Sequence, residues 1–312
     1  MHSKKQRDDK GKAMPIRIIT DSASDIVSGE CPENLTVLPM TITFGETTYH
    51  DGVDITHERF YEMLVESDAL PTTGQVTPYE YGQALAAARE AGEDVVILTV
   101  SSKLSGTYQS ACFAAGELEE AGAAGESGAA GVDPAPVRCR VVDTESASVG
   151  ERVLVELALQ LVEEGLSADE VADRLEERKR DVRVVALLDT LEYLRKGGRI
   201  SLAAGAVGAM LAIKPVVAIE GGEIAVLGKA RGSKNGKNLL TQQIEKSGGI
   251  DFGQPLALGY TGLSRRLLDK YIDDSRGLWE QSVESLLCYS IGATVGTHAG
   301  PGAIALAFFR KA

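Results

Sequence analysis

Residues 94–110 read DVVILTVSSKLSGTYQS. Val95–Val100 form an apolar run without alternation, which predicts a strand covered on both faces, as in a parallel sheet. The polar loop SSKLSG (101–106) follows, and a helical stretch begins at Thr107. Strand, loop and helix in that order are the building unit of an α/β domain, whose ligands sit at loops beyond the carboxyl ends of the strands. The loop and the first residue of the helix carry four hydroxyls, on Ser101, Ser102, Ser105 and Thr107. Such a loop could hold a nucleophile, cradle an anion on the free amides of the helix, or only cap that helix.

The same unit recurs on either side. IRIIT (16–20) leads into TDSASD (20–25), and VRCRVVDT (137–144) leads into VDTESAS (142–148). LTVLPMTITF (35–44) is read as a further strand. Helix starts are visible at Thr77-Pro78-Tyr79-Glu80 and Ser167-Ala168-Asp169-Glu170, both with capping-box spacing and the first with proline at the first helical position. AGAAGESGAAGVDPAP (121–136) offers no apolar face and is expected to be a flexible insertion. After the helix VLVELALQLVEEG (153–165) come VRVVALLD, IKPVVAIEGG, EIAVLGKA, PLALGYTG and AIALAFF, with a hairpin expected through Gly221-Gly222. The expected class is therefore α/β in two domains. A mainly parallel N-terminal sheet flanked by helices spans 14–151, and a mixed α/β C-terminal domain spans 152–312.

Composition narrows the function. Apolar residues make up 44% and charged residues 25% of the 312, as in globular proteins. A formal net charge of -13 argues against a nucleic-acid binder, which needs a basic face. Cys31, Cys112, Cys139 and Cys288 form no CxxC pair, so neither a zinc site nor a disulfide framework is expected. Residues 1–13 are charged, lack the apolar core of a secretory signal, and are expected to be a disordered tail. No apolar run reaches the roughly 20 residues of a transmembrane helix, and a cytoplasmic location is expected.

The chemistry-bearing residues are hydroxyls and cations more than bases. No G-x-S-x-G elbow occurs. Of four histidines, His2 lies in the tail, His50 and His57 flank an acidic segment and are expected at the surface, and His298 alone sits in a glycine-rich loop, GTHAGPG (296–302). A Ser105/His298 pair hydrolysing acyl esters is one reading. The other is a carboxylate held by Ser105, the Gly106 amide behind it and hydroxyls of LPTTGQVTP (70–78). Asp21 and Asp25 are expected to cap local turns. KGGRIS (196–201) and KARGSKNGK (229–237) concentrate positive charge, the second as a phosphate or partner contact or simply as a solvated loop. With neither a Walker A sequence nor GxGxxG, no nucleotide and no other cofactor is expected.

Taken in order, TDSASD, LPMTITF with YHDGVDIT and FYEML, LPTTGQVTP, SSKLSGTYQSA, VVDTESASVG, TLEYLRKGGRIS, IKPVVAIEGGEI with KAR, and IGATVGTHAGPGAIALAFF resemble the DegV family over nearly the whole chain. This family comprises fatty-acid-binding proteins that serve bacterial fatty-acid kinases. The resemblance implies a long-chain fatty acid held between two α/β domains, its carboxylate presented to a separate ATP-dependent kinase subunit. Matched by motif, Thr73 and Ser105 hold the carboxylate, and His298 lies near the head group. A buried carboxylate needs several donors, which these hydroxyls, helix-terminal amides and a protonated His298 could supply. Arg199 and Arg231 are candidate contacts for the head group or a protein partner, and a lipid sensor acting through Lys229 and Arg231 is a further reading. The family's usual serine and proline after the second threonine are here Gly74 and Val76, a change expected to loosen that loop. SLAAGAVGAMLAIKP (201–215) has the small side chains suited to an acyl tunnel.

Overall fold

The computed structural model describes residues 14–311 apart from 28, 30, 68, 124–136 and 201–212. The expectations for the 1–13 tail, most of the 121–136 insertion and the 201–212 part of the small-residue stretch fall outside the described residues.

In the first half the chain forms β1 (Ile16–Asp21), β2 (Leu35–Leu38), β3 (Thr41–Phe44), β4 (Thr47–His50), α1 (His57–Glu66), β5 (Thr72–Gly74), α2 (Pro78–Ala91), β6 (Asp94–Thr99), α3 (Thr107–Ala123) and β7 (Cys139–Asp143). Strands β2-β1-β6-β7 make a four-stranded sheet in which every pairing is parallel. All six residues of β6 are buried, so its unbroken apolar run does mark a strand covered on both faces. The box at Thr77 and Glu80 closes as its spacing predicts, with the threonine side chain on the Glu80 amide and the Glu80 carboxylate on the Thr77 amide.

LTVLPMTITF is not one strand. It breaks after Leu38 into β2, parallel to β1, and β3, which joins β4 and β5 in a separate antiparallel sheet of order β4-β3-β5. Pro39 at the break has no N–H to donate to a ladder, which ends the parallel pairing there. The loop expected to be loosened by Gly74 and Val76 is instead held. Gly74 pairs with Thr41 across β5 and β3, Thr41 Oγ1 lies 2.3 Å from where a Cβ would stand, and Val76 is fully buried.

The second half comprises α4 (Val149–Glu163), α5 (Ala168–Arg178), β8 (Val182–Leu187), α6 (Glu192–Lys196), β9 (Ile213–Glu220), β10 (Glu223–Arg231), α7 (Gly232–Lys246), β11 (Leu256–Tyr260), α8 (Arg266–Asp274), β12 (Cys288–Ser290), α9 (Ala293–Ala299) and β13 (Ile304–Phe309). Six strands in the order β10-β9-β8-β13-β11-β12 form a mixed sheet, antiparallel except for β11 with β12. Gly221 and Gly222 turn the β9–β10 hairpin, both with positive φ (54° and 84°), a conformation that costs glycine little. Residues 232–237, read as a solvated loop, instead open α7, with Lys237 buried and ion-paired to Asp274.

The chain passes from the first sheet to the second through α4. Its side chains Val153, Leu154, Leu157 and Leu161 pack in one cluster with Ile18, Val96 and Leu98 of the parallel sheet and Ala257, Ala305 and Phe309 of the mixed sheet. Burying both sides of α4 removes the apolar faces of two sheets from water at once, at about 25 cal/mol per Å² of apolar area.

Candidate functional site

A second junction between the two halves is polar and buried. Asp21, at the end of β1, accepts the amides of Ala23 (3.0 Å) and Val100 (2.9 Å). Asp25 accepts from Ser148 Oγ (2.5 Å) and the Gly292 amide (2.8 Å). Asp51 accepts the amides of Ala293 (3.0 Å) and Thr294 (2.8 Å), capping α9 from outside. Asp25 and Asp51 thus anchor the start of α9 to the first half, and the local side-chain cap expected of Asp25 does not form among the described hydrogen bonds. Asp21 does cap its local turn, through Ala23, and also ties that turn to the end of β6 through Val100. Burial pushes Asp21 and Asp25 up to about 7, against the lowering effect of the donors they accept from. His57 is also drawn in. Its side chain is only 15% exposed and its Nε2 lies 4.0 Å from Asp51 Oδ1, so it is not the surface residue that its acidic flanks suggested.

This framework leaves an apolar cavity of about 120 Å³ whose walls come from both halves. Ala23, Met40, Val100 and Ala147 contribute from the first, and Val184, Ala186, Val217, Ile219 and Ala305 from the mixed sheet. Six of the lining residues carry polar side chains: Thr73, Ser105, Ser148, Arg199, Thr294 and His298. Ser148 and Thr294 are tied to the junction network through Asp25 and Ser22. The other four converge on one part of the wall.

Helix α9 carries His298 to β5, where its Nε2 is 3.0 Å from Thr73 Oγ1. The close approach of α6 requires Gly197, because a Cβ there would stand 2.2 Å from His298 Nδ1. Nδ1 is buried without a described hydrogen-bond partner. Arg199 donates from Nε to the Leu104 carbonyl (3.0 Å) and from Nη1 to the Gly197 carbonyl (2.8 Å). Among the described residues no carboxylate pairs with Arg199, and burial lowers its pKa. Ser105 Oγ lies 2.9 Å from Thr107 Oγ1 and accepts weakly from the Thr107 amide (3.3 Å), so it also caps α3.

The protonated form expected of His298 beside a head group is disfavoured by its surroundings within the protein. Burial, and then the charge of Arg199, push its pKa down to about 4. The folded state thus resists protonating a side chain that the unfolded chain protonates near pH 6.5. The stability this group contributes is present above about pH 6.5 and is lost as pH falls through about 4. An NMR titration of the unliganded protein should show His298 neutral at pH 5.5; a midpoint near 6.5 would contradict its burial.

Thr73, Ser105, Arg199 and His298 are therefore brought together. Gly106 is not in the lining: a Cβ there would lie 2.1 Å from Gln75 Oε1, so this glycine serves the packing of Gln75, which in turn donates to Ser110 Oγ (2.8 Å). Arg231 ends β10 on the exterior, beside Lys229 and Asn235, apart from the cavity. The proposed Ser105/His298 couple does not form among the described hydrogen bonds, in which His298 faces Thr73 and Ser105 faces Thr107. Leu104 escaped notice in the sequence because its part is played by a carbonyl. No group of three or more metal-ligating side chains occurs among the described residues, and no described helix is long and apolar enough to cross a membrane.

The family model described as "Uncharacterised protein, DegV family" matches residues 15–311. A DegV domain-containing protein of Caldanaerobacter subterraneus is 31% identical over 304 residues, covering 95% of this chain and 99% of that one. The solved structure of a fatty-acid-binding DegV family protein from Thermus thermophilus superposes with a TM-score of 0.80 at 30% identity, covering 96% of this chain and all (100%) of that one. A stearic-acid-binding protein from Eubacterium ventriosum gives a TM-score of 0.81 at 27% identity, over 95% and 98% of the two chains.

Proposed function

Since this chain belongs to the DegV family, we propose that it binds a long-chain fatty acid between its two halves and presents the carboxylate to a separate ATP-dependent kinase subunit. The carrying observation is the apolar cavity in which Thr73, Ser105, Arg199 and His298 meet, with a cation that no described carboxylate neutralises. A fatty acid supplies both complements, an alkyl chain for the walls and an anion for Arg199. Burying that anion is tolerable only where several donors meet it.

The neutral imidazole has a definite part in this reading. With His298 Nε2–H donating to Thr73 Oγ1, the threonine hydroxyl is left to donate its own proton to the carboxylate. Ser105 donates likewise, in exchange for its contact with Thr107. Arg199 provides the charge, so none is required of His298. These groups bind and orient; the phosphoryl donor and its metal would belong to the kinase, which fits a sequence without a nucleotide-binding motif. The comparison with fatty-acid-binding relatives at 27–30% identity supports the ligand class, and the kinase step rests on family resemblance.

Titration with palmitate tests the site. The wild type should bind it, while Thr73→Val and Ser105→Ala should each weaken binding by roughly tenfold, the worth of about one hydrogen bond to a charged group. Unchanged affinity in both would remove the carboxylate from this corner. A serine-directed fluorophosphonate separates carrier from hydrolase, since a Ser105 that lacks a paired base should remain unlabelled. Stoichiometric labelling at Ser105 would favour acyl-ester hydrolysis instead.

A further inference from the structure

Ser101 begins the SSKLSG loop, is fully buried, and does not line the cavity. Its atoms nevertheless connect three separate segments. Its amide donates to the Ser146 carbonyl (2.8 Å), which fixes the neighbouring VDTESAS loop. Its carbonyl accepts the amides of Leu104 (2.9 Å) and Ser105 (3.1 Å), so it sets the turn that delivers both residues. Its hydroxyl donates to the Gly222 carbonyl (2.8 Å) at the tip of the β9–β10 hairpin and accepts weakly from the Lys103 amide (3.3 Å).

The hairpin approaches so closely that a Cβ at Gly222, where φ is +84°, would lie 2.6 Å from Ser101 Oγ. Arg199, also from the second half, holds the other end of the same loop through the Leu104 carbonyl. The loop that carries Ser105 is thus gripped twice by the second half, once through a site residue and once through a residue that touches no part of the cavity. A hydrogen bond between buried groups leaves its acceptor unsatisfied when the donor is removed, so this contact holds the two segments together more firmly than an exposed one would.

We propose that Ser101 is a positioning residue, latching the tip of the β9–β10 hairpin to the binding loop so that Ser105 stays aimed at the fatty-acid carboxylate. The latch rests on the fatty-acid reading of the cavity. Its mechanical content is that fatty acid leaves when the hairpin lifts from the loop, since that contact joins the two walls next to the head-group donors without itself touching the ligand.

The test is the rate of palmitate release from the full-length protein. Ser101→Ala should release palmitate about tenfold faster, as expected when one buried hydrogen bond no longer holds the bound state. Ser105→Ala should also release faster. If Ser101 works through Ser105, the double variant should be little faster than Ser105→Ala alone, because the two changes act on one interaction. Gly222→Ala, which forces the hairpin tip away from Ser101 Oγ, should accelerate release as Ser101→Ala does, and decides the matter if Ser101→Ala does not fold. Wild-type release rates in Ser101→Ala or in Gly222→Ala would overturn the latch. So would accelerations that multiply in the double variant. If the wild type and Ser105→Ala both retain no palmitate, the ligand reading fails and the latch with it; normal wild-type retention with an unaffected Ser101→Ala rejects the latch alone.

Discussion

Arg199→Met should lower palmitate affinity by about 30-fold or more, the loss expected when a partly buried anion is deprived of a charged donor, roughly 2–3 kcal/mol. The guanidinium is held by two carbonyls, those of Leu104 and Gly197, and by no described carboxylate. That arrangement fixes the direction of the fork while leaving its charge uncompensated, which suits a site whose counter-ion arrives with the ligand. Methionine keeps much of the side-chain volume and should preserve the apolar wall. Arg199→Lys keeps the charge but cannot donate along two directions of a planar fork, so it should fall between the two. Isothermal titration would read all three, and equal affinities for wild type and Arg199→Met would mean that the carboxylate lies elsewhere.

The second large effect is on stability. Asp25→Ala should cost about 3 kcal/mol, because the Ser148 hydroxyl and the Gly292 amide would both lose their buried acceptor. For a chain of 312 residues that corresponds to a fall in Tm of about 5 °C. Asp25 joins the first half to the segment that opens α9, so unfolding should be accompanied by loss of the cavity. The pH dependence has a sign. With a folded pKa of about 7, Asp25 binds its proton more tightly folded than unfolded. Its favourable contribution is therefore complete below about pH 4 and is lost as pH rises through 7. Asp25→Asn, neutral at every pH, should flatten that part of the stability curve, and thermal melts from pH 4 to 8 would show it. A curve as steep as wild type would mean that Asp25 is ionised in the folded protein.

Much of this architecture could be read in the residues. The apolar runs of β1 and β6 mark a parallel sheet, and Gly221-Gly222 marks a hairpin, because burial on two faces and positive φ leave direct marks on composition. The capping boxes at Thr77 and Ser167 formed as spaced. The short edge strand β12 and the strand β5 left no such mark: three residues each are too few to show a period.

The site divides along the same line. Thr73, Ser105, Arg199 and His298 are singled out by motif resemblance, and all four line the cavity. The charge state of His298 was missed, because it depends on how deeply α9 seats against β5 and on the distance to Arg199, both tertiary quantities. The work of Asp25 and Asp51 was hidden for a related reason. Each carboxylate accepts amides more than 200 positions away, a separation of 267 residues for Asp25 with Gly292, and local spacing carries no trace of such a partner. By its local sequence Ser101 is one more loop hydroxyl, because its acceptor at Gly222 lies 121 positions away.

Native mass spectrometry of the intact protein, purified without organic solvent or detergent, tests the central claim most directly. The account predicts one long-chain fatty acid per chain, displaced by added palmitate and absent from Arg199→Met. A protein that emerges free of lipid and remains at its apo mass after incubation with palmitate would contradict it.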